Sequence, residues 1–266
     1  MEIGLYEAVS GMKAQSSLQD IISANLARMS QPGNKRSIVA FEIPSDSGLQ
    51  KDGSTPGSLR RLGMKAAPLQ SRTVTDFTPA PVERTGGPLD FGIVGDGFFK
   101  VREQDGTISY TRDGQFHLTN EGKLVTIDGA AVLGDGDAPL TIPAKEAATL
   151  KIDTDGTATT TDGKKTNKAG TLSLAHFDEP RKNLYLGAPN GRYVATAGTA
   201  PDEIKKGLGK DSSILQGALE SSNASSITEM VGLVNVVRAY EASQKLTVAE
   251  DTLSGDMVRA LNSTSG

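Results

Sequence analysis

Asp-Gly occurs eight times in this chain, among them Asp96-Gly97, Asp105-Gly106, Asp113-Gly114, Asp128-Gly129, Asp155-Gly156 and Asp162-Gly163. Asp and Gly both tolerate positive φ, which the tight turns of hairpins require. No long helix passes through a region punctuated in this way. Short runs lie between the turns: Phe98-Phe99-Lys100-Val101, Thr107-Ile108-Ser109-Tyr110 and Lys123-Leu124-Val125-Thr126. They predict short antiparallel hairpins over residues 88–200. Phe91, Ile93, Phe98, Val101, Tyr110, Phe116, Leu124, Val125, Leu172 and Leu174 are the expected core, mostly at alternating positions facing one side.

Helical periodicity is confined to the two ends. Leu5, Val9, Met12, Leu18, Ile22, Leu26 and Met29 recur at three- and four-residue steps, with Leu18 the one offset, until Gln31-Pro32-Gly33 stops the helix. A second helical zone is read over residues 213–262. There Ile227, Met230, Val234 and Val237 form one stripe, which Leu246, Leu253, Met257 and Leu261 continue with a shift. A narrow apolar stripe on a polar helix is buried against another helix or against a globular core, and periodicity leaves both open.

Between the first helix and the hairpins, residues 44–87 are rich in Pro, Gly, Ser and Thr and read as an extended arm. Residues 31–75 carry seven bases (Lys35, Arg36, Lys51, Arg60, Arg61, Lys65, Arg72) against Glu42, Asp46 and Asp52. Residues 213–262 carry six acids and three bases. Such runs are commonly solvated surface. The sharper expectation is that Arg60, Arg61, Lys65 and Arg72 dock on a neighbouring subunit.

Most chemistry is excluded. With a net charge of −4 and 5% aromatics, the chain offers no footprint for nucleic acid. It has no cysteine, which removes disulfides and thiolate metal sites. His117 and His176 are 59 residues apart and fit no metal spacing. Asp153-Thr154-Asp155-Gly156 opens like a calcium loop but lacks the closing Glu. Gly95-Asp96-Gly97 lacks the Lys-Ser/Thr of a phosphate loop. No catalytic residue, cofactor or metal site is expected. The start at Met1 has neither a basic nor an apolar signal region, and no run of about eighteen apolar residues spans a bilayer.

Several blocks together carry a resemblance. They are Asn25-Leu26-Ala27 followed by Gly33; Gly95-Asp96-Gly97-Phe98-Phe99; and Tyr110-Thr111-Arg112-Asp113-Gly114. Near the end come Leu219, Glu220 and Asn223, then Glu229-Met230, then Arg238, Tyr240 and Glu241. In order and spacing this resembles the rod and hook proteins of the bacterial flagellum, with Arg28 where Asn is usual and Asn34 where an aromatic usually follows the glycine.

The resemblance implies a structural, non-enzymatic rod subunit of the basal body. Such a subunit sits in the periplasm, polymerises into a hollow helical tube, and is exported by the flagellar apparatus without a cleaved signal peptide. Its partners would be other rod and hook subunits, the export apparatus and the surrounding basal-body rings, with no nucleic acid and no transmembrane segment. The short arm between Phe41 and Leu89 favours the proximal over the distal rod type. The competing class is a secreted β-rich adhesin or phage-tail-like binding module, and a cell-wall glycosidase is the enzyme rival.

The expected fold is α+β, mainly β: N- and C-terminal helices pair as a coiled coil around an antiparallel β-rich middle. The divisions are a helix at 1–30, an arm at 31–87, a β domain at 88–205 and a helix at 206–266. Leu5, Val9, Met12, Ile22 and Leu26 are expected to face Met230, Val234, Val237, Leu253 and Met257 along an antiparallel seam.

Overall fold

The computed structural model describes residues 2–42, 70–143, 146, 149–162, 165–188, 191–196, 202–203 and 212–264. The chain divides into two compact units. One comprises Met1–Leu26, Ser37–Val74 and Ile227–Gly266, and the other Ala27–Arg36 and Thr75–Ser226.

The first unit holds the helix α1 (Glu2–Arg28), the strands β1 (Ser37–Glu42) and β2 (Gln70–Thr75), which pair, and the helix α2 (Ser226–Thr264). Helix α1 ends where the sequence predicts, with Gln31 N–H donating to the Arg28 carbonyl at 2.9 Å just before Pro32. Helix α2 starts later than expected. Residues 213–220 of the predicted helical zone are strands, β17 (Ser213–Gln216) and β18 (Ala218–Glu220), separated by Gly217 at φ 74°. Ile214, Leu215 and Leu219 have spacings that suit either period, and pairing with other strands decides the outcome.

The second unit is antiparallel β. Strands β3 (Val82–Arg84) and β4 (Phe91–Val94) take β18 and β17 as partners, with Leu219 opposite Glu83 and Ile214 opposite Ile93. Among the described residues the main sheet runs through β5 (Phe98–Arg102), β6 (Ile108–Thr111), β7 (Phe116–Leu118), β8 (Leu124–Thr126) and β9 (Ala131–Val132). A three-stranded sheet follows, made of β10 (Lys151–Ile152), β11 (Thr157–Asp162) and β12 (Lys165–Thr171). The chain then returns to the main sheet with β13 (Leu174–His176), β14 (Leu184–Ala188), β15 (Arg192–Ala195) and β16 (Asp202–Glu203). The strand order from edge to edge is β14-β15-β6-β5-β9-β8-β7, with β13 paired to β5 and β16.

The β-rich unit is therefore wider than residues 88–205, because β3, β17 and β18 are built into it. The core is also two clusters rather than one face. Phe91, Ile93, Phe99, Val101, Phe116, Leu124, Leu172, Leu174 and Ile214 pack in one. Phe98, Tyr110, Ala175, Phe177, Leu184 and Tyr193 pack in the other. Adjacent Phe98 and Phe99 are both buried, so β5 is covered on both sides, while Val125 is only half-buried. In the second cluster Phe77, Phe98, Tyr110, Phe177 and Tyr193 meet edge to face, with ring centroids 5.0–6.1 Å apart. Arg192 is buried in the same unit, its guanidinium bonded to Glu103 at 2.7 Å and to Asp128 at 2.5 Å.

A fragment of residues 27–226 should melt cooperatively. A fragment of 85–205 discards β3, β17, β18 and the buried Ile214. Losing one buried aliphatic alone costs about 2–5 kcal/mol, so calorimetry should place the shorter fragment at least about 5 °C lower, or find it unfolded.

Candidate functional site

The sequence blocks that suggest a family do not form a cleft. They converge on two buried polar clamps, one in each unit.

In the β unit the clamp centres on Glu220, the last residue of β18, which is 1% exposed. One carboxylate oxygen accepts from the Lys35 ammonium at 2.6 Å and from the Ala80 N–H at 3.0 Å. The other accepts from the Arg112 guanidinium at 3.0 Å. Lys35 also donates to the Thr78 carbonyl, and Arg112 to the Gly95 carbonyl, each at 2.9 Å. The Arg112 guanidinium lies 5.2 Å from the Phe98 ring centroid, a cation–π contact. Burial draws the Lys35 pKa below the usual lysine value, and the bond and charge of Glu220 oppose that shift.

Glycine is obligatory beside this clamp. Gly33 donates its N–H to the Glu220 carbonyl at 2.7 Å and has φ 64°. A Cβ there would stand 2.2 Å from the Arg112 carbonyl carbon. Gly114 allows an equally close approach, since a Cβ would fall 1.8 Å from the Phe91 carbonyl oxygen. Asn223 ties three segments of the same unit together. Its Oδ1 accepts from the Arg36 N–H at 2.7 Å, and its Nδ2 donates to the carbonyls of Asp76 and Thr78 at 2.8 and 3.1 Å. Asn34, at the position where an aromatic is usual, donates to the Ser222 hydroxyl at 3.4 Å. Burial raises the Asp113 carboxyl above the usual range, although its Oδ1 accepts the Gln115 N–H. Gly97 lies against Leu174, Tyr110 and Thr111 are buried beside Arg112, and Asp96 is exposed.

In the helical unit the clamp centres on Asn25, 3% exposed. Its amide donates to the Ser37 carbonyl and accepts from the Ser37 N–H, both at 2.9 Å. It also donates to Glu229 of α2 at 3.4 Å. Further back along α1, Ile22 lies beside Gly232, and Gln15 hydrogen-bonds Ser243 at 3.3 Å. Positions thus rise along α1 as they fall along α2. The other side of α1, at Ser17, Asp20 and Ile21, lines a groove with Val39, Arg72 and Thr73.

Helix α2 has two distinct faces. Glu229, Gly232, Leu233, Val236, Tyr240, Ser243 and Thr247 are the buried and half-buried face, and it is this face that meets α1. Ile227, Met230, Val231, Val234 and Val237 lie on the opposite side and are 37–76% exposed. The stripe expected to face α1 therefore points outward in the single chain. Leu253, Arg238 and Glu241 are exposed too. Met12, Ile22 and Leu26 are half-buried and Ala27 is exposed. The side chains of Leu5, Val9 and Met257, and all of Arg60, Arg61 and Lys65, fall outside the described residues.

Lys35 corrects the reading of the basic arm, because it is spent inside the β unit on Glu220. Sequence reasoning also missed Thr78, Ala80 and Ser37 as clamp partners, since they contribute backbone groups that leave no side-chain signal. Among the described residues no group of three or more His, Cys, Asp or Glu side chains could hold a metal ion. No helix among them is long and apolar enough to cross a membrane.

The chain is 30% identical over 267 residues to the flagellar basal-body rod protein FlgG of Bacillus subtilis, covering 96% of this chain and 97% of that one. It belongs to the flagellar basal-body rod protein family. Residues 92–160 match the flagellar hook protein FlgE/F/G D1 domain, and residues 215–260 match the flagellar basal body rod FlgEFG protein C-terminal domain. The rod protein FlgF of Caulobacter vibrioides is 29% identical over 262 residues, 98% of each chain. FlgF of Mesorhizobium japonicum is 29% identical over the full length of both. As a rod protein the chain is a structural subunit of the flagellar basal body and not an enzyme. Three motif blocks of this rod protein, at Gly33, Arg112 and Glu220, meet at one carboxylate.

Removing one partner of a buried, hydrogen-bonded ion cluster strands the others. Glu220→Ala should lower the stability of the β unit by about 3–5 kcal/mol. Lys35→Met should cost less, because Glu220 keeps Arg112 as its counter-ion. Denaturant titration of the two variants tests the ranking, and equal losses would contradict it.

Proposed function

We propose that the subunit polymerises through its terminal helices into the hollow helical shaft of the periplasmic rod. The observation that carries this reading is the outward stripe on α2. Ile227, Met230, Val231, Val234 and Val237 form a contiguous apolar face that no part of the helical unit covers among the described residues. Burying one such aliphatic gives roughly 1.5–3 kcal/mol. A face of this kind on a free chain favours association. Contacts between unlike surfaces that do not close on themselves produce helical assemblies.

In this reading α1 and α2 of one chain pair antiparallel as a coiled coil. The contacts at Gln15–Ser243, Ile22–Gly232 and Asn25–Glu229 support that pairing. The outward stripe, with Leu253, then packs between subunits. The partners are other rod and hook subunits, and the basal-body rings surround the shaft. The chain reaches its place through the flagellar export apparatus. Of the two rod positions we assign it the proximal one, on the short arm between Phe41 and Leu89.

Two tests follow. Val234→Asp combined with Val237→Asp should abolish swimming and leave basal bodies without a complete rod, while the variant is still exported at wild-type levels. Complete rods containing the variant would remove the stripe from the assembly. Labelling of the tagged chain in isolated basal bodies should fall at the inner-membrane end of the rod, and label at the hook end would assign the distal position instead.

A further inference from the structure

Asn25 stands at the meeting point of α1, β1 and α2. Its amide makes two 2.9 Å bonds to the backbone of one residue, Ser37, as donor to the carbonyl and as acceptor from the N–H. That is the pattern a neighbouring strand would present, and the amide supplies it with its separate NH2 donor and carbonyl acceptor. The same Nδ2 reaches the Glu229 carboxylate of α2 at 3.4 Å. Asn25 and Glu229 are 3% and 1% exposed, so water is a poor substitute at either. A slip of α1 by one residue along its axis would move the amide about 1.5 Å and rotate it by about 100°, breaking all three bonds together.

We propose that Asn25 is the positioning residue that sets the axial register of α1 against both β1 and α2. Apolar faces tolerate sliding, because a slipped helix still buries similar area. The directional bonds of Asn25 do not. Through α2 this register decides where the outward stripe at Ile227 to Val237 stands, so the residue acts on assembly without touching the neighbouring subunit. The inference rests on the rod reading for that last step only. The register itself is a property of the single chain.

The chain has no cysteine, so a reporter pair can be introduced cleanly. Gln15→Cys with Ser243→Cys places thiols on two residues in hydrogen-bond contact in the full-length chain. A short bismaleimide should join them within the chain, as read by mass spectrometry. Adding Asn25→Asp keeps the acceptor for Ser37 N–H, removes the donor and sets a second carboxylate against Glu229. It should slow cross-linking at least tenfold. Adding Glu229→Gln restores a donor–acceptor pair in the reverse sense and should recover most of the rate. Wild-type cross-linking in the Asn25→Asp background overturns the proposal, as does no cross-linking in the parent pair. A slow rate that Glu229→Gln leaves unrepaired, accompanied by a lowered melting point of the β unit, also overturns it, because the defect is then general misfolding. The rod reading is scored separately by swimming and rod length. Normal rods with a slipped cross-link would refute the effect on assembly and leave the register assignment standing.

Discussion

The structure depends most on a carboxylate that carries more bonds than its neighbours could replace. Glu220 holds Lys35 and Arg112 out of water and also takes an N–H from Ala80. Each buried cation would be prohibitive alone. Together they are tolerable only while the geometry is kept. That condition brings the turn after α1, the segment before β3, the end of β6 and the end of β18 to a single point in the β unit. The glycines follow from it, because backbone must approach backbone closely wherever so many segments meet. Asn223 repeats the principle three residues further on with an uncharged amide.

A subunit of a rod needs two kinds of surface, one that holds the chain in shape and one that is left for its neighbours. Here they differ in chemistry. Internal fastening at Glu220, Asn223 and Asn25 is polar and directional, while the face left over on α2 is aliphatic and permissive. Polar groups discriminate sharply between correct and incorrect arrangements. Apolar groups supply attraction with little regard for angle. The division suits a protein that must fold one way and then repeat many times.

Much of this was legible in the sequence, and the reasons differ by element. The Asp-Gly punctuation marks hairpins at Asp105-Gly106, Asp128-Gly129 and Asp155-Gly156, because the turn requirement is local, whereas Asp96-Gly97 and Asp113-Gly114 join strands whose partners lie elsewhere. The stop of α1 at Gln31-Pro32-Gly33 is local too. Nine of the ten core residues named from alternation are buried, yet the alternation itself misleads at Phe98 and Phe99, because β5 is covered on both sides. Residues 213–220 fit a helix as well as strands, since Ile214, Leu215 and Leu219 suit either period, and only their partners in β3 and β4 decide. The outward face of α2 reads as the inward one in sequence for a related reason. Val234 and Val237 keep helical spacing as well as Leu233 and Val236 do, and spacing does not say which side another helix occupies. The Lys35–Glu220 pair, 185 residues apart, is invisible to any local pattern. A lone lysine in a basic stretch is ordinarily solvated.

The Glu220 clamp also has a consequence for how a rod carries load. Hydrogen bonds and buried ion pairs resist small shear strongly and then fail abruptly, because their energy falls steeply with distance and angle. Aliphatic contacts yield gradually, since surfaces can creep past one another at nearly constant buried area. Torsion applied to this subunit would thus meet a stiff, brittle fastening at Glu220 within the β unit. The outer face of α2 would give instead, as a compliant bearing. In the proposed assembly elasticity would sit where subunits repeat, and rigidity where a single chain has to hold its own shape.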